Sequence, residues 1–273
     1  MAGCERCSGT GFEYVTRDGR DFAQPCGCRR GAAPTADAFL GACRIPPRYE
    51  LCSLANFDPV STSHRAALEK VMGYCNGYPH LGPHAEGLGL LFTGNNGVGK
   101  THLAVSVLRE LVLSKGARGQ FWDFHELIRE IKYSWDPQTQ TSELSVLSPV
   151  VEMDILLLDD LGAMKMTDWM NDTLFYILNS RYLARRATLI TTNFQDRPAS
   201  EVKHADRNIR SEFFVERIGQ RTRSRLSEMC YTVHIDGEDR RAIQQDSHRA
   251  LILGTGAPPD ARPEPARRPR PRG

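Results

Sequence analysis

The run Gly94-Asn95-Asn96-Gly97-Val98-Gly99-Lys100-Thr101 is the stretch of this chain best suited to chemistry. It fits the spacing G-x-x-x-x-G-K-[ST] without mismatch. Glycines at these positions let successive backbone N–H groups turn inward and cradle phosphate oxygens. Lys100 would reach the β- and γ-phosphates of a nucleoside triphosphate, and the Thr101 hydroxyl would hold Mg²⁺. The flanks separate this run from a chance glycine loop. Leu88, Leu90, Leu91 and Phe92 precede it as a buried strand, and Leu103, Val107, Leu108 and Leu111 follow at helical spacing. A strand, a glycine turn and a helix N-terminus together form an anion site.

Such a site needs a carboxylate on a neighbouring strand to hold the metal. Asp154-Ile-Leu-Leu-Leu-Asp159-Asp160 is an apolar run ending in two acids. Asp159 stands where a Walker-B aspartate belongs, as a Mg²⁺ ligand directly or through water. Asp160 stands where many ATPases carry a glutamate that activates the attacking water. Its shorter side chain implies slow hydrolysis, although the same residue could instead cap the turn at Leu161-Gly162. Asn193, ending the apolar stretch Ala187–Thr192, could orient the water.

The elements that would position these groups alternate. Strands are expected at 88–93, 119–124, 154–159, 187–192 and 231–236, and helices at 61–76, 102–114, 125–133, 168–185 and 211–228. The pattern predicts a three-layer α/β/α domain with a parallel sheet covered on both faces. The segment 134–149 is polar and reads as a long loop. On a continuous helix over 211–228, Arg217, Arg221 and Arg225 share one face. Arg221 or Arg225 could reach the γ-phosphate held by a second subunit; a solvated face paired with Glu216 and Glu228 is the alternative.

Composition bounds the rest. Of the 273 residues 40% are hydrophobic and 25% charged, with a net charge of +2. Those values suit an ordinary globular protein rather than a polycation. No apolar run approaches the ~20 residues of a membrane span, and the first residues do not form a signal peptide, so a cytoplasmic protein is expected. Eight cysteines in such a compartment argue for metal or free thiols. Cys4, Cys7, Cys26 and Cys28 form two close pairs suited to tetrahedral Zn²⁺. The expected organisation is a zinc module and linker over 1–44, a nucleotide-binding domain over 45–253, and a disordered basic Pro/Arg tail over 254–273.

Taken together, Ile45-Pro-Pro-Arg-Tyr49, Gly94–Thr101, Leu156-Leu-Leu-Asp-Asp-Leu-Gly162, Asn179-Ser-Arg-Tyr182, Thr191-Thr-Asn193 and Ser224-Arg-Leu226 resemble the DnaC/DnaI/IstB group of AAA+ ATPases over roughly residues 45–240. The resemblance implies Asn193 as sensor 1 and Arg221 as the arginine finger, with Arg225 a second candidate. It leaves no room for a full helical lid before the tail. It implies ATP-dependent self-association, single-stranded DNA as a ligand and a hexameric replicative helicase as the partner. The cysteine-bearing N-terminus resembles the zinc-containing loaders of that group. The alternative within the group is a transposition helper acting on duplex DNA.

Overall fold

The computed structural model describes residues 12–17, 20–26, 40–80, 88–136, 138–139, 142–196 and 213–241. A hairpin comes first: β1 (Phe12–Arg17) pairs antiparallel with β2 (Arg20–Pro25). The zinc ligand candidates Cys4, Cys7 and Cys28 lie outside the described residues, whereas Cys26 directly follows β2 and is buried. The basic tail also lies outside them.

The main domain is built from α1 (Thr62–Gly77), β3 (Gly89–Thr93), α2 (Lys100–Lys115), β4 (Gly119–Asp123), α3 (Phe124–Tyr133), α4 (Glu143–Glu152), β5 (Ile155–Asp159), α5 (Asp168–Leu183), β6 (Ala187–Thr192), α6 (Phe214–Ile218), α7 (Gln220–Met229) and β7 (Cys230–His234). The five main strands run parallel in the order β4-β5-β6-β3-β7. Each central strand is apolar on both faces, as a covered parallel sheet requires. Period-two alternation divides the core. Leu90, Phe92, Leu157 and Leu189 point to one side, where α1 and α2 pack. Leu91, Leu156, Leu158 and Ile190 point to the other, where α3, α4, α5, α6 and α7 pack. The expected three layers are thus present.

Local chemistry sets the helix ends. Ser61 caps α1 by accepting from the His64 amide at 3.2 Å. Asp123 caps α3 in the same way, accepting from the Glu126 amide at 3.0 Å. Each side-chain oxygen satisfies an amide that has no partner within its helix. Two expectations are corrected. The 134–149 stretch is not all loop: Ser142 caps α4, which runs through Pro149 and buries Val146, Leu147 and Val150. The stretch 211–228 is not one helix. Gly219, at φ 80° and ψ 154°, leaves the helical region and separates α6 from α7. Glycine adopts that conformation without a side-chain clash. Arg217 therefore stands on a different helix from Arg221 and Arg225. On α1 the packed face is His64, Ala67, Val71, Tyr74 and Cys75, while Met72 points outward. Cys43, Cys75 and Cys230 are buried, and burial pushes their thiols up to about 11, 12 and 12. That is away from the reactive range. Among the described residues no helix is long and apolar enough to cross a membrane.

One buried cation joins the far ends of these elements. Arg181 of α5 is fully buried, and burial pushes its guanidinium down to about 9. It donates to the carbonyls of Val150, Val151, Met153, Asp154 and Ala187 and to the Thr188 hydroxyl. Those acceptors end α4, lead into β5 and open β6, so their orphan carbonyls are satisfied by one planar fork. Arg181→Ala removes that fork and leaves a cavity. It is expected to cost ~3 kcal/mol or more in urea denaturation, and Arg181→Lys, with no planar fork, should recover only part of that. An unchanged midpoint for Arg181→Ala would mean that water serves the carbonyls equally well.

Candidate nucleotide site

All five strands point their C-terminal ends at one edge of the sheet, where ligands of open α/β sheets bind. Because β6 lies between β3 and β5, the end of β6 stands between the glycine loop and the acid pair. The loop, the acids and Asn193 therefore reach this edge from three neighbouring strands.

The loop itself depends on backbone freedom. Gly97 and Gly99 have φ of 73° and 97°, where a side chain is strained. Lys100 opens α2, is only 6% exposed, and donates through Nζ to the carbonyls of Gly94 (3.0 Å) and Asn95 (2.6 Å). Val98 is buried, and its carbonyl faces His64 Nε2 at 3.1 Å. Asn95 and Asn96 complete the loop, and Asn96 borders the cleft.

Asp159 is the meeting point. Its Oδ1 accepts from the Thr101 hydroxyl (2.9 Å) and the Thr191 hydroxyl (2.6 Å). Thr191 Oγ1 in turn accepts from the Asp160 amide (2.9 Å). Burial raises the Asp159 carboxyl above the usual carboxylate range; the Thr191 and Thr101 hydroxyls oppose that, and the negative charges of Asp160 and Asp123 add to it. Asp160 follows in a left-handed backbone conformation, with φ 56°. Holding a non-glycine residue there costs roughly 1–2 kcal/mol. Its Oδ1 accepts from Asn193 Nδ2 at 2.6 Å, so the side chain is held by Asn193 rather than capping the following turn. Burial raises this carboxyl too, Asp123 adds to the rise, and Lys100 and Arg241 offset it.

These groups line a cleft of about 310 Å³. Sequence reasoning missed several members of its wall. Arg48 and Tyr49 belong to a short 3₁₀ turn opened by Pro46-Pro47; the motif is visible in the sequence, but its arrival at the cleft is not. Asp123 ends β4 opposite Asp159 in register. Its position at the end of a strand was the available signal. His102 and Arg241 also border the cleft, and nothing in the local spacing marks Arg241.

Among the described residues no three His, Cys, Asp or Glu side chains gather closely enough to hold a metal ion. Thr101 and Asp159 instead offer two hard oxygens 2.9 Å apart. That donor set fits Mg²⁺, which commonly takes one or two protein oxygens and completes its shell with phosphate and water. The cleft residues suit a triphosphate with such an ion.

Arg221 and Arg225 are absent from the cleft wall. The Arg221 guanidinium lies 3.6 Å over the Phe175 ring, and the Arg225 guanidinium lies 4.1 Å over the Tyr182 ring. Arg225 Nη1 also donates to Glu228 Oε2 at 2.7 Å. Both arginines stack on α5 from α7 as cations over ring faces, and the Nε of Arg225 is buried without a hydrogen-bond partner. Arg217 instead donates to the Gly162 and Ala163 carbonyls at 2.8 and 3.2 Å, bracing the turn after Asp160.

A glycine loop at the head of a helix, a hydroxyl–carboxylate pair and an asparagine on the intervening strand define a P-loop ATP-binding protein of AAA+ type. The model of the IstB-like ATP binding protein family matches residues 85–246, more than half the chain, and the chain belongs to that family. It is 28% identical over 184 residues to the replicative helicase loader DnaI of Bacillus subtilis (strain 168), a match covering 66% of this chain and 55% of that protein. The chain thus spans about half the length of that relative. It superimposes on the crystal structure of the DnaC helicase loader with a TM-score of 0.58 and 33% identity, covering 70% of this chain and 99% of that one. AMPPCP-bound DnaA from Aquifex aeolicus shares the fold alone, with a TM-score of 0.54 and 18% identity over 79% of this chain and 59% of that one.

The burial of Lys100 predicts that nucleotide binding depends on pH. Burial pushes the Lys100 ammonium down to about 8 from 10.5, against the favourable pull of Asp160 and Asp159. The sign follows directly. Below about pH 8 the lysine is charged and ready for phosphate; above it the free protein holds a neutral amine and must take up a proton to bind. ATP affinity should therefore weaken from pH 7 to pH 9, with proton uptake visible by calorimetry in buffers of different ionisation enthalpy. Flat affinity across that range, without proton uptake, would show that the lysine stays charged.

Proposed function

We propose that this protein is an ATP-dependent loader of a replicative DNA helicase onto single-stranded DNA. The observation that carries the proposal is the 33% identity to the DnaC helicase loader over nearly all of that chain, joined to a cleft here that gathers the glycine loop, Lys100, Thr101, Asp159, Asp160 and Asn193. The N-terminal module over 1–44, with Cys4, Cys7, Cys26 and Cys28 holding Zn²⁺, would grip the helicase. The AAA+ domain over 45–253 would bind ATP, self-associate and contact DNA, and the Arg-rich tail over 254–273 would add phosphate contacts.

Within the cleft we assign the roles as follows. The loop amides and Lys100 bind the phosphates. Thr101 and Asp159 would hold Mg²⁺, which when bound would neutralise charge on the phosphate oxygens. Asp160 accepts the proton of the attacking water, and Asn193, bonded to it, orients that water. Arg221 or Arg225, stacked on α5 and absent from the wall of its own cleft, serves the γ-phosphate bound by a second copy. Association through ATP and release on hydrolysis would time the delivery of the helicase.

The second reading is an IstB-like transposition helper acting on duplex DNA, which an IstB-like ATP-binding domain also suits. A pull-down from source-cell lysate with ATP separates the two, using Lys100→Ala as control. Recovery of the hexameric helicase, lost when residues 1–33 are removed or when Lys100 is Ala, is expected. Recovery of a transposase with duplex DNA would replace the loader reading. The purified chain should carry one zinc per molecule by metal analysis, and none after Cys4→Ser with Cys7→Ser.

The base assignment has its own test. Asp160→Asn should lower steady-state ATP hydrolysis by about 10²-fold or more, with ATP affinity retained. Asp160→Glu should raise the rate several-fold if the short side chain limits turnover. An unchanged rate in Asp160→Glu would remove that explanation of slow hydrolysis.

A further inference from the structure

His64 stands in the first turn of α1, is fully buried, and bonds to the glycine loop without lining the cleft. The chemistry proposed for the cleft does not use it. Two neighbours enclose its ring. Phe57 lies tilted against it with ring centroids 5.8 Å apart, and Gly237 packs so close that a Cβ there would come 2.7 Å from Cε1. The two ring nitrogens face different partners: Nε2 lies 3.1 Å from the Val98 carbonyl, and Nδ1 lies 2.6 Å from Ser61 Oγ. A carbonyl oxygen can only accept, so Nε2 carries the hydrogen. In the neutral ring Nδ1 is then the acceptor, and the Ser61 hydroxyl donates to it. The same Oγ accepts from the His64 amide at 3.2 Å as the cap of α1. Ser61 therefore sets both the helix end and the tautomer of the ring. The competing Asp236 carbonyl stands farther from Oγ, at 3.4 Å.

The peptide unit between Val98 and Gly99 is planar, with its C=O and N–H on opposite edges. A Val98 carbonyl directed inward at His64 therefore turns the Gly99 amide the other way. Gly99 itself lines the cleft, at φ 97°. A side chain there would meet Phe57, whose Cε2 lies 2.9 Å from the Cβ position, so the same ring backs both the histidine and the loop. Val98 is fully buried, and its carbonyl without the imidazole would have to find another donor or remain unpaired. Glycines on both sides, Gly97 and Gly99, leave rotation of that peptide sterically open. The direction of the Gly99 amide thus depends on a side chain that belongs to α1 rather than to the loop.

We propose that His64 is a positioning residue for phosphate binding: its Nε2–H holds the Val98–Gly99 peptide in the orientation that offers the Gly99 amide to a phosphate oxygen, and Ser61 holds the ring in the tautomer that does so. The proposal rests on the ATP-binding reading and deepens it. An amide already turned toward its ligand needs no rotation on binding, which lowers the ordering cost of association. The loop amides cradle the phosphates that ADP and ATP share. His64 therefore acts on both nucleotides alike and does not distinguish the terminal phosphate.

The test compares two amide variants of the full chain, read with fluorescent ATP and ADP analogues and Mg²⁺ beside the melting temperature of the nucleotide-free protein. Glutamine can place its side-chain NH₂ near the position of Nε2, whereas asparagine reaches only the position of Nδ1. His64→Gln should keep affinity within about threefold of the wild type for both nucleotides. His64→Asn, which keeps the Ser61 side and loses the loop side, should weaken both by about tenfold or more, with their ratio held within about twofold. Ser61→Ala, which removes the donor to Nδ1, should weaken both in the same direction but by less. Equal affinities in His64→Gln and His64→Asn, or losses that follow the melting temperature alone, would reduce His64 to a packing residue and overturn the proposal. Wild-type protein that binds neither nucleotide would instead refute the ATP reading on which the proposal rests.

Discussion

The Asp159 carboxylate sets the terms for the rest of the site. One oxygen accepts from two hydroxyls, at the head of α2 and at the end of β6, and so fastens three elements at a single point. Bonds to a charged acceptor contribute ~1.5–3 kcal/mol each, and here they oppose a burial that drives the carboxyl toward its neutral form. The arrangement requires β6 between β3 and β5. With any other strand order, Thr191 could not bond Asp159 through its hydroxyl while accepting from the Asp160 amide. Strand order, loop position and acid geometry are therefore one constraint rather than three.

Around that point the charges are unevenly distributed. Asp123, Asp159 and Asp160 stand at the ends of two neighbouring strands; burial raises the latter two carboxyls, and the charge of Asp123 adds to both. Arg48, Lys100 and Arg241 line the same cleft. Neither set is neutralised by direct ion pairs among the described residues: Lys100 is bonded to carbonyls and Asp160 to an amide. Acids and bases around one cleft suit a ligand that brings both signs, a polyphosphate carrying a divalent cation. A bare anion would leave the carboxylates uncompensated, and a bare cation would leave the lysine so.

What the sequence made legible follows from the range of the forces involved. The loop, the apolar run into Asp159-Asp160 and the stretch ending at Asn193 are each local, so spacing and burial pattern sufficed to place them on one sheet edge. Gly219 defeated the helix expected over 211–228, because helical spacing of arginines says nothing about a glycine whose φ and ψ leave the helix. Ser142 and Glu143 started a helix inside a stretch too polar to suggest one, and its apolar face is only three residues wide. Asp123 and Arg241 reach the cleft through strand order and a turn beyond the last strand. Neither lies near the loop in sequence, so no window could have joined them. The cysteine module rests on spacing, since three of its four candidate ligands lie outside the described residues.

The arginines show why a family motif need not mark chemistry. Arg181 stands in the Asn-Ser-Arg-Tyr run that strengthened the resemblance, yet it is fully buried among backbone carbonyls on the α4 and early-strand side. Its place in the motif is explained by folding alone. Arg217 braces the turn after Asp160, with Nε and Nη2 bonded to its carbonyls. Arg221 and Arg225 are stacked on rings of α5, which fixes where their guanidinium groups stand without committing all of their donors. Stacking leaves the in-plane N–H groups able to reach outward, whereas the fork of Arg181 is already occupied. A side chain that is pre-positioned but incompletely bonded, and that lies outside its own cleft, is the kind that can serve a second copy of the chain. On that physical criterion Arg221 has the stronger claim: it is exposed, while Arg225 is already paired with Glu228.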